Sequence, residues 1–341
     1  MIEVSAGILQ RADGRILVCR RGPGRRNAHL WEFPGGKREP GEDAAACLAR
    51  ELEEELSLQV SGLRTVRTAE EGGIRFTFLT GCCRSEPVPT EHEAICFARP
   101  RELLSLPFCP ADAPVARTLA LGHPPLTALV WDFDGTLFDT YPVLSRTLAD
   151  AARELGIPTD PEEALTLMKQ SLHHALVTLA ARGQADPDLL RQAYRRHEAL
   201  TPPAAFPPLP GIPEALRELR RRGCRHLMLT HRGHSALEAL EAHGLLPLFS
   251  GWVTAEDGLP RKPDPASLRV LMARHGLAPE EVCMIGDRSL DLEAGQAAGT
   301  LSCLLDPDRW LDPSPVPLTA RHAGELPELL RPEEIQLPVQ I

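Results

Sequence analysis

Four carboxylates fall within five consecutive residues of the segment ELEEEL, which ends at Leu56. A helix drawn at about 100° per residue separates two groups, an apolar stripe of Leu48, Leu52 and Leu56 and, beside it, an acidic arc of Glu51, Glu54 and Glu55. Like charges at this spacing repel by roughly 0.2–0.5 kcal/mol per pair. Convergent carboxylates suit a hard divalent cation such as Mg²⁺, which prefers oxygen ligands. For this segment alone, a solvated acidic face remains the alternative interpretation.

A second acidic pattern lies further along the chain, where VWDFDGTLFDT places Asp132 and Asp134 directly after an apolar segment. Taken alone, this pattern also fits an ordinary Asp-Gly turn. Three more polar segments follow in order. They contribute Thr230 at the end of HLMLT, Lys262 in RKPDP, and both Asp287 and Asp291 in IGDRSLD.

The elements that must position these residues change character near LGHPPLT, where Pro124 and Pro125 interrupt a helical pattern. Before this point the short strands VSAGILQ, RILVC and IRFTFL surround one helix, predicted from Asp43 to Leu56. After it the apolar strands ALVW, HLMLT, EVCMIG and LSCLL alternate with helices, which predicts a parallel α/β sheet. A helical insertion of roughly residues 143–207 separates the first two of these strands, and its length predicts a separate cap.

Composition narrows the classes of function. The chain has 341 residues, 43% of them hydrophobic, which favours two domains. A net charge of −10 argues against long nucleic acid or anionic membrane as a partner, whereas small phosphorylated ligands need only a local cationic pocket. The first residues show no leader pattern and no apolar run is long enough to span a membrane. Nine cysteines without a CxxC pair fit a reducing compartment, so we expect a cytoplasmic protein.

The segment GGKREPGEDAAACLARELEEELSL resembles the Nudix box, G-x5-E-x7-R-E-U-x-E-E-x-G-U, where U is aliphatic. Eight of the nine defined positions match, namely Gly36, Glu42, Arg50, Glu51, Leu52, Glu54, Glu55 and Leu58. The exception is Ser57, which stands where the family has glycine. We expect a left-handed helix end there, at a cost of about 1 kcal/mol in stability and without loss of chemistry.

The resemblance implies an α/β/α sandwich that hydrolyses nucleoside diphosphates linked to another group. Metal, Mg²⁺ or alternatively Mn²⁺, would lie on Glu51, Glu54, Glu55 and the carbonyl of Gly35. Glu51 would also be the general base, positioned by Arg50. Metal binding would offset the repulsion within the acidic segment.

Within that family, WEFPGGK is similar to the MutT-like branch, whose members convert nucleoside triphosphates, including oxidised purine ones, to monophosphate and pyrophosphate. The similarity continues through TEHEAICF, where Glu91 would be an auxiliary metal ligand, to FCPADAPV. There Asp112 stands where the branch has an asparagine that recognises the purine, and a carboxylate accepts hydrogen bonds where an amide also donates. Phosphate contacts would fall to Arg21 and Lys37, although Arg21 equally fits a solvated loop charge.

The second half resembles the haloacid dehalogenase-like hydrolases, because its four polar segments reproduce that family's four motifs in order over about 200 residues. The resemblance implies a Rossmann-like parallel sheet in which Asp132 attacks phosphorus and Asp134 acts as general acid and base. Thr230 would bind the phosphoryl oxygens, and Lys262 would neutralise developing charge. The ligands of Mg²⁺ would be Asp132, the carbonyl of Asp134 and Asp287, oriented by Asp291.

The presence of Asp134 indicates phosphoryl transfer, because true dehalogenases lack this second aspartate. The insertion resembles the small helical cap of the phosphoglycolate phosphatase-like subgroup, which favours small phosphorylated molecules. Lys169, His173 and His174 lie in this cap as candidate substrate contacts, with exposed helix positions as the alternative. The predicted organisation is a Nudix domain at 1–124 and a phosphatase domain at 125–341, with core segments 125–142 and 208–333 and a cap at 143–207.

The resulting hypothesis is a two-site hydrolase. The first site would cleave a nucleoside triphosphate, and the second would dephosphorylate a small phosphate ester, either the nucleotide product, another ester or the pyrophosphate. One alternative makes the first half a nucleotide-sensing module that regulates the phosphatase. Another makes the second half a phosphomutase or phosphotransferase. The sequence leaves both substrates and the oligomeric state open, since specificity in both families lies in variable loops and caps.

Overall fold

The structure is a computed structural model that describes residues 2–11, 13–83, 85–122, 124–311, 318–330 and 335. The chain forms two compact units, Leu126–Leu329 and a first unit built from Met1–Pro125 with Leu330 and Ile335. No helix in these described ranges combines the length and the apolar character needed to cross a bilayer.

The first unit is a mixed sheet with a helix on each face. Its strands are β1 (Ile2–Gln10), β2 (Ile16–Arg20), β3 (Trp31–Glu32), β4 (Gly35–Lys37), β5 (Val60–Glu71), β6 (Ile74–Cys83) and β7 (Ala94–Ala98). Its helices are α1 (Ala44–Leu56) and α2 (Ala113–Gly122). The strand order is β3-β2-β1-β6-β5, with β4 paired to β1 and β7 paired to β2. Strands β1 and β6 run parallel, and the other pairs are antiparallel.

Alternating residues of β2 show how the two faces are covered. Ile16 and Val18 pack in a cluster with Leu119 of α2, whereas Leu17 and Cys19 pack in a second cluster with the leucines of α1. Side chains of a strand point alternately to opposite faces of its sheet, so a strand that is apolar at every position is buried on both sides. The α/β/α sandwich expected for this half is confirmed.

Helix α1 begins and ends as its sequence predicts. The Asp43 carboxylate accepts a hydrogen bond from the backbone N–H of Ala46 at 2.8 Å, which caps the first turn. Ser57 closes the helix in the left-handed region, with φ 47° and ψ 36°. The backbone N–H of Ser57 donates to Glu53 O at 3.0 Å, and that of Leu58 donates to Leu52 O at 3.0 Å. A serine therefore serves where glycine is the less strained choice.

The second unit is a parallel sheet flanked by helices. Its strands are β8 (Ala128–Trp131), β9 (Arg225–Leu229), β10 (Phe249–Val253), β11 (Val282–Gly286), β12 (Leu301–Leu305) and β13 (Leu318–Ala320). Its core helices are α7 (Ile212–Arg221), α8 (Ser235–Ala242), α9 (Ala266–Arg274), α10 (Ser289–Ala298) and all but the last residue of α11 (Leu326–Leu330). The strand order is β10-β9-β8-β11-β12-β13, and every neighbouring pair is parallel. The parallel Rossmann-like sheet is confirmed.

This order places β8 between β9 and β11, so the carboxyl ends of the three strands are neighbours. Asp132 follows β8, Thr230 follows β9 and Asp287 follows β11. Loops at the carboxyl ends of parallel strands form the usual ligand crevice of such sheets. The topology alone brings these three residues to one edge.

Four helices form the insertion between β8 and β9. They are α3 (Tyr141–Glu154), α4 (Pro161–Gln170), α5 (Leu172–Arg182) and α6 (Pro187–Ala199). Helices α4, α5 and α6 each start with a side-chain cap, from Asp160, Ser171 and Asp186 respectively. The two connections to the core run side by side, because Asp139 N donates to Pro207 O at 2.9 Å and Leu209 N donates to Leu137 O at 3.0 Å.

Some elements differ from the sequence-based expectation. The strands β3, β4, β5, β7, β10 and β13 were not predicted. The domain bounds placed everything after residue 124 in the second domain, but Ile335 is buried in the core of the first unit, because its apolar side chain packs in the cluster that contains α2. Residues 331–333, the predicted end of the second core segment, lie outside the described residues. The remaining domain bounds stay a prediction.

One buried histidine of the second unit leads to a pH prediction. Trp131 Nε1 donates to His226 Nδ1 at 3.1 Å, and His226 Nε2 donates to Leu216 O at 2.8 Å, so the ring is held neutral. Burial lowers the pKa of His226 from 6.5 to about 4. Between about pH 4 and pH 6.5, the folded chain therefore binds fewer protons at His226 than the unfolded chain does. The free energy of unfolding should fall by about 2 kcal/mol from pH 7 to pH 5 through this group.

The His226→Gln variant keeps a donor and an acceptor at this position but cannot titrate. Urea unfolding is followed by tryptophan fluorescence at pH 7 and pH 5. The decrease in the free energy of unfolding between these two pH values should be smaller in the variant, by about 2 kcal/mol. His231, whose pKa burial also lowers to about 4, is present in both proteins, so the difference isolates His226. Equal losses in the two proteins would contradict the assignment.

Candidate active sites

The acidic cluster of the second unit lies at the carboxyl edge of its sheet. Among the described residues, the carboxylates of Asp132, Asp287 and Asp291 form a group whose ligand atoms all lie within 4.8 Å of one another. All three residues are buried. Hard divalent cations bind oxygen ligands of this kind. The residues present therefore fit a cation such as Mg²⁺.

Lys262 is the cation nearest the predicted nucleophile. Its Nζ lies 2.7 Å from Asp132 Oδ1 and 2.6 Å from Asp291 Oδ1, and it donates to Leu229 O at 3.0 Å. Burial opposes the charge on Lys262, but the attraction of the two aspartates outweighs it and raises its pKa. Burial likewise raises the pKa of Asp132, but Lys262 and Arg288 outweigh it and hold this pKa below the ordinary value. The predicted nucleophile is therefore kept ionised.

Asp287 is oriented by two hydroxyl groups that the sequence analysis did not single out. Thr136 Oγ1 donates to Asp287 Oδ1 at 3.3 Å, and Tyr141 OH donates to Asp287 Oδ2 at 3.1 Å. Burial, followed by repulsion from Asp132 and Asp291, raises the pKa of Asp287 to about 7 even though Arg288 opposes the shift. A cation placed among these acids would relieve that repulsion.

The turn after Asp134 requires glycine. Gly135 has φ 79°, and a Cβ atom there would lie 2.4 Å from Asp287 Oδ2 and 2.4 Å from Tyr141 Cε2. Any side chain at this position would enter the space of the acidic cluster. The Asp-Gly turn is thus part of the site, and the ordinary-turn interpretation of this segment is incomplete.

Thr230 and Asp134 complete the predicted set in the second unit. Thr230 is buried at the end of β9, and its Oγ1 accepts a hydrogen bond from Arg232 N at 3.0 Å. Asp134 is only partly buried, and its Oδ1 accepts hydrogen bonds from the Arg232 side chain, 2.8 Å from Nη2. The structure therefore brings all six predicted residues of this half to one edge of the sheet. Their catalytic roles stay predictions.

The cap residues named as candidates differ in their surroundings. Lys169 Nζ lies 4.1 Å from the ring centroid of Tyr141 and 3.6 Å from Asp308 Oδ2, and this side chain is mostly buried. Tyr141 in turn contacts Asp287, so Lys169 lies next to the acidic cluster. His173 is exposed on α5. Lys169 is thus the better candidate for a substrate contact.

In the first unit the predicted residues surround a cavity of about 660 Å³. Those that line it are Gly35, Glu51, Glu55, Glu91, Arg21, Lys37 and Asp112. Drug-sized and nucleotide-sized ligands occupy cavities of about 300–1,000 Å³. Glu54 is not among the lining residues.

Arg50 organises the acids of α1. Its Nη1 lies 3.0 Å from Glu51 Oε1 and 3.2 Å from Glu54 Oε2, and its Nε lies 3.0 Å from Glu42 Oε1. The predicted contact between Arg50 and Glu51 is present. Within the described residues, the carboxylates of Glu51, Glu54 and Glu55 do not form a compact cluster like that of the second unit. The Glu54 side chain is exposed, and Arg50 Nη1 joins its carboxylate to that of Glu51.

Gly36 gives Glu51 its place beside the backbone. A Cβ atom on Gly36 would lie 2.2 Å from Glu51 Cδ, so only glycine lets the carboxylate lie against β4. Glu55 is partly buried, and its pKa is raised to about 7. Burial is the main cause; His92 opposes the shift, and repulsion from Glu51, Glu91 and Glu32 adds to it. Oxygen donors under mutual repulsion beside a cavity fit a divalent cation, with Glu51 and Glu55 as the nearer ligands.

The other predicted contacts of this cavity already have partners. Arg21 pairs with Glu32, and its Nε donates to Arg26 O at 2.8 Å. Glu91 pairs with Arg25. Neither Glu32 nor Arg25 was assigned a role from the sequence. Short patterns do not show which surface charges will meet, because these partners are 11 and 66 residues apart.

Asp112 is a buried acid at the cavity wall. Its Oδ1 accepts a hydrogen bond from Phe33 N at 3.1 Å, and burial raises its pKa to about 7. The raised pKa favours the protonated form of this carboxyl, which can donate as well as accept. A protonated Asp112 therefore resembles the asparagine of the MutT-like branch more closely than the sequence suggested, because both can donate and accept hydrogen bonds.

Comparison with known proteins agrees with this architecture. Residues 129–305 match the family model for haloacid dehalogenase-like hydrolase, and residues 1–119 match that for the NUDIX domain. The phosphoglycolate phosphatase of Nitrosospira multiformis is 34% identical over 190 residues, which cover 52% of this chain and 81% of that protein.

Two solved structures are similar to parts of the chain. A predicted phosphoglycolate phosphatase from Haemophilus somnus aligns with a TM-score of 0.53 and 18% identity, covering 59% of this chain and 96% of that one, which shows the fold alone. A structure from a study of MutT from Aliivibrio salmonicida and Vibrio cholerae aligns at 27% identity and a TM-score of 0.34, covering 36% of this chain and 98% of that one. The chain belongs to the haloacid dehalogenase-like hydrolases and carries a NUDIX domain ahead of its phosphatase unit.

Proposed function

We propose that the chain is a bifunctional hydrolase in which the first unit converts a nucleoside triphosphate to monophosphate and pyrophosphate, and the second dephosphorylates a small phosphate ester. The observation that carries the proposal for the second unit is the contact of buried Lys262 with Asp132, 2.7 Å from Nζ to Oδ1, at the rim of an acidic cluster. A buried, ionised carboxylate beside a fixed cation is suited to attack a phosphoryl group.

In the proposed reaction an oxygen of Asp132 attacks phosphorus, and the bond from phosphorus to the leaving-group oxygen breaks. Asp134 gives its proton to that oxygen. Asp134 then takes a proton from water, whose oxygen attacks phosphorus, and the bond to Asp132 breaks to release inorganic phosphate. Lys262 neutralises charge on the phosphoryl group throughout. Mg²⁺ held by Asp132, Asp287 and the Asp134 carbonyl, with Asp291 orienting the set, would supply further charge neutralisation.

For the first unit the support is a cavity of nucleotide size with acids on α1 and arginine at its rim. Glu51 would take the proton from the attacking water, Arg50 would orient Glu51, and Arg21 and Lys37 would bind the phosphate chain. Asp112 would hydrogen-bond the base. A divalent cation on Glu51, Glu55, Glu54, Glu91 and the Gly35 carbonyl would polarise the phosphates.

The two activities would act in sequence, with the monophosphate from the first site as substrate of the second. A coupled assay with a nucleoside triphosphate should then yield nucleoside and free phosphate. Accumulation of monophosphate that is not dephosphorylated would exclude consecutive action of the two sites on one nucleotide. It would not exclude the two separate activities. Phosphoglycolate, the compound in the name of the relatives, is the first alternative ester to assay, and phosphate release without an acceptor sugar would exclude a phosphomutase. We further expect small phosphorylated partners and a cytoplasmic location.

Glu51→Gln tests the first site. Because the amide cannot take a proton and binds a cation poorly, pyrophosphohydrolase activity should fall by about 10³-fold, while phosphate release from an ester should be unchanged. Glu53→Gln is the matched control, since Glu53 is exposed on the opposite side of the same helix. A parent chain without triphosphate hydrolysis would instead contain a nucleotide-sensing module, whereas equal hydrolysis by the two variants would show that Glu51 is not the general base.

A further inference from the structure

Arg232 joins the predicted general acid to the helical insertion. It lies two residues after Thr230, and its side chain is only 7% exposed. On the core side, Nη2 and Nε donate to Asp134 Oδ1 at 2.8 and 3.2 Å. On the other side, Nη1 donates to Glu198 Oε1 at 3.3 Å, and Glu198 belongs to α6 of the insertion. One guanidinium therefore binds carboxylates from both parts of the second unit.

The surroundings hold this guanidinium in place. Its Cζ lies 4.9 Å from the ring centroid of Phe206 and 5.6 Å from that of Phe133, so aromatic side chains border it as well as acids. The planar fork of a guanidinium presents its N–H groups in fixed directions, so Arg232 can donate twice to one carboxylate and once to another. A lysine ammonium at this position would be a single point of charge.

The geometry divides the roles of the two oxygens of Asp134. Both core-side bonds from Arg232 end on Oδ1, and within the part of the chain that the structure describes no hydrogen bond to Oδ2 is found, so Oδ2 is the oxygen left for a ligand. A general acid must present one oxygen to the leaving group in a fixed direction. Restraint through Oδ1 meets this requirement without blocking Oδ2.

We propose that Arg232 is the positioning residue for proton transfer by Asp134, and that Glu198 secures it when α6 lies against the core. The proposal rests on the proposed phosphatase reaction, in which Asp134 protonates the leaving group and later activates water. Arg232 touches neither the phosphoryl group nor the acidic cluster in this assignment. Its effect is transmitted through the direction of one carboxylate.

The test compares two esters that differ in their need for an acid. The leaving group of p-nitrophenyl phosphate departs as a stable anion, whereas that of phosphoglycolate needs a proton. In Arg232→Met, we expect kcat for phosphoglycolate to fall by about 100-fold or more. With p-nitrophenyl phosphate, the rate of the first turnover in Arg232→Met should stay within about 10-fold of that of the parent protein. The later attack of water on the aspartyl phosphate should become slower. A burst of p-nitrophenolate followed by a slow steady state should result.

The amplitude of that burst counts folded, competent sites, so a folding defect cannot imitate the result. If Arg232→Met does not fold, Arg232→Lys provides the same test, with the same burst and a smaller loss. Glu198→Gln should lower kcat for both esters equally and by less than about 10-fold. It affects the packing of α6 against the core rather than proton transfer by Asp134. The matched control is Arg217→Met, at an exposed arginine of α7, which should leave both rates unchanged.

Equal loss on both esters in Arg232→Met and Arg232→Lys, without a burst, would overturn the proposal and make Arg232 a structural residue. Failure of the proposed function itself is distinguishable, because it would show in the unchanged chain. In that case the parent protein would release no phosphate from either ester, or Asp132→Asn would retain full activity. Retention of both rates in the Arg232 variants would likewise exclude a positioning role.

Discussion

Replacement of Asp132 by asparagine should reduce phosphate release by the second unit by on the order of 10⁴-fold or more. The amide has the shape of the carboxylate but is not a nucleophile towards phosphorus, so the covalent route is closed. Lys262 would then face an uncharged neighbour at the contact that now measures 2.7 Å. The measurement is steady-state release of phosphate from phosphoglycolate and from p-nitrophenyl phosphate.

Two controls accompany this variant. Asp150→Asn, at an exposed position of α3, should keep phosphate release within about 2-fold, because it removes only a surface ion pair with Arg153. Triphosphate hydrolysis by the first unit of the Asp132→Asn protein should also be unchanged. Substantial phosphate release by that protein would mean that water attacks the ester directly, and the aspartyl-phosphate route would be wrong.

Lys262→Met should lower the free energy of unfolding of the second unit by about 3–5 kcal/mol when no divalent cation is added. The substitution leaves Asp132 and Asp291 without the ammonium that lies 2.7 and 2.6 Å from their oxygens. The side chains of all three residues are at most 2% exposed, so water cannot replace the lost partner. Urea unfolding of the parent and the variant at one pH measures the difference.

Lys37→Met is the matched control, because Lys37 is an exposed lysine of β4 and its replacement should change stability by no more than about 0.5 kcal/mol. Addition of Mg²⁺ should recover part of the loss in Lys262→Met, since a cation bound to the folded state alone stabilises it. A loss below 1 kcal/mol without added cation would show that the two aspartates are not dependent on Lys262.

The elements that the sequence predicted well have a regular apolar pattern. The leucines at 48, 52 and 56 form the buried stripe of α1, and the mainly apolar segments ALVW and LSCLL became strands β8 and β12 of the parallel sheet, on either side of β11. Strand β5 was missed because its residues Val60–Glu71 are mostly polar and only partly buried, so their burial does not alternate cleanly. It is an edge strand, and edge strands of sheets commonly carry charged side chains.

In the candidate sites, too, the sequence predicted some features and not others. Motif spacing was enough to name Asp132, Asp287 and Asp291, and the topology of parallel strands then brings them together. The helical wheel groups Glu54 with Glu51 and Glu55, and in the structure Glu54 pairs with Arg50 and is not among the residues that line the cavity. A wheel gives the direction of a side chain from the axis but not the partner that it meets.

The sequence by itself determined the two families, the mixed and parallel sheets, the left-handed end of α1 at Ser57 and the acids available to each site. These depend on local pattern and on residue type, which are properties of short segments. Only the tertiary structure decided that Arg232 joins Asp134 to Glu198, which are 98 and 34 residues away along the chain. Such ion pairs form where folding excludes water from opposite charges, and no short segment contains that information.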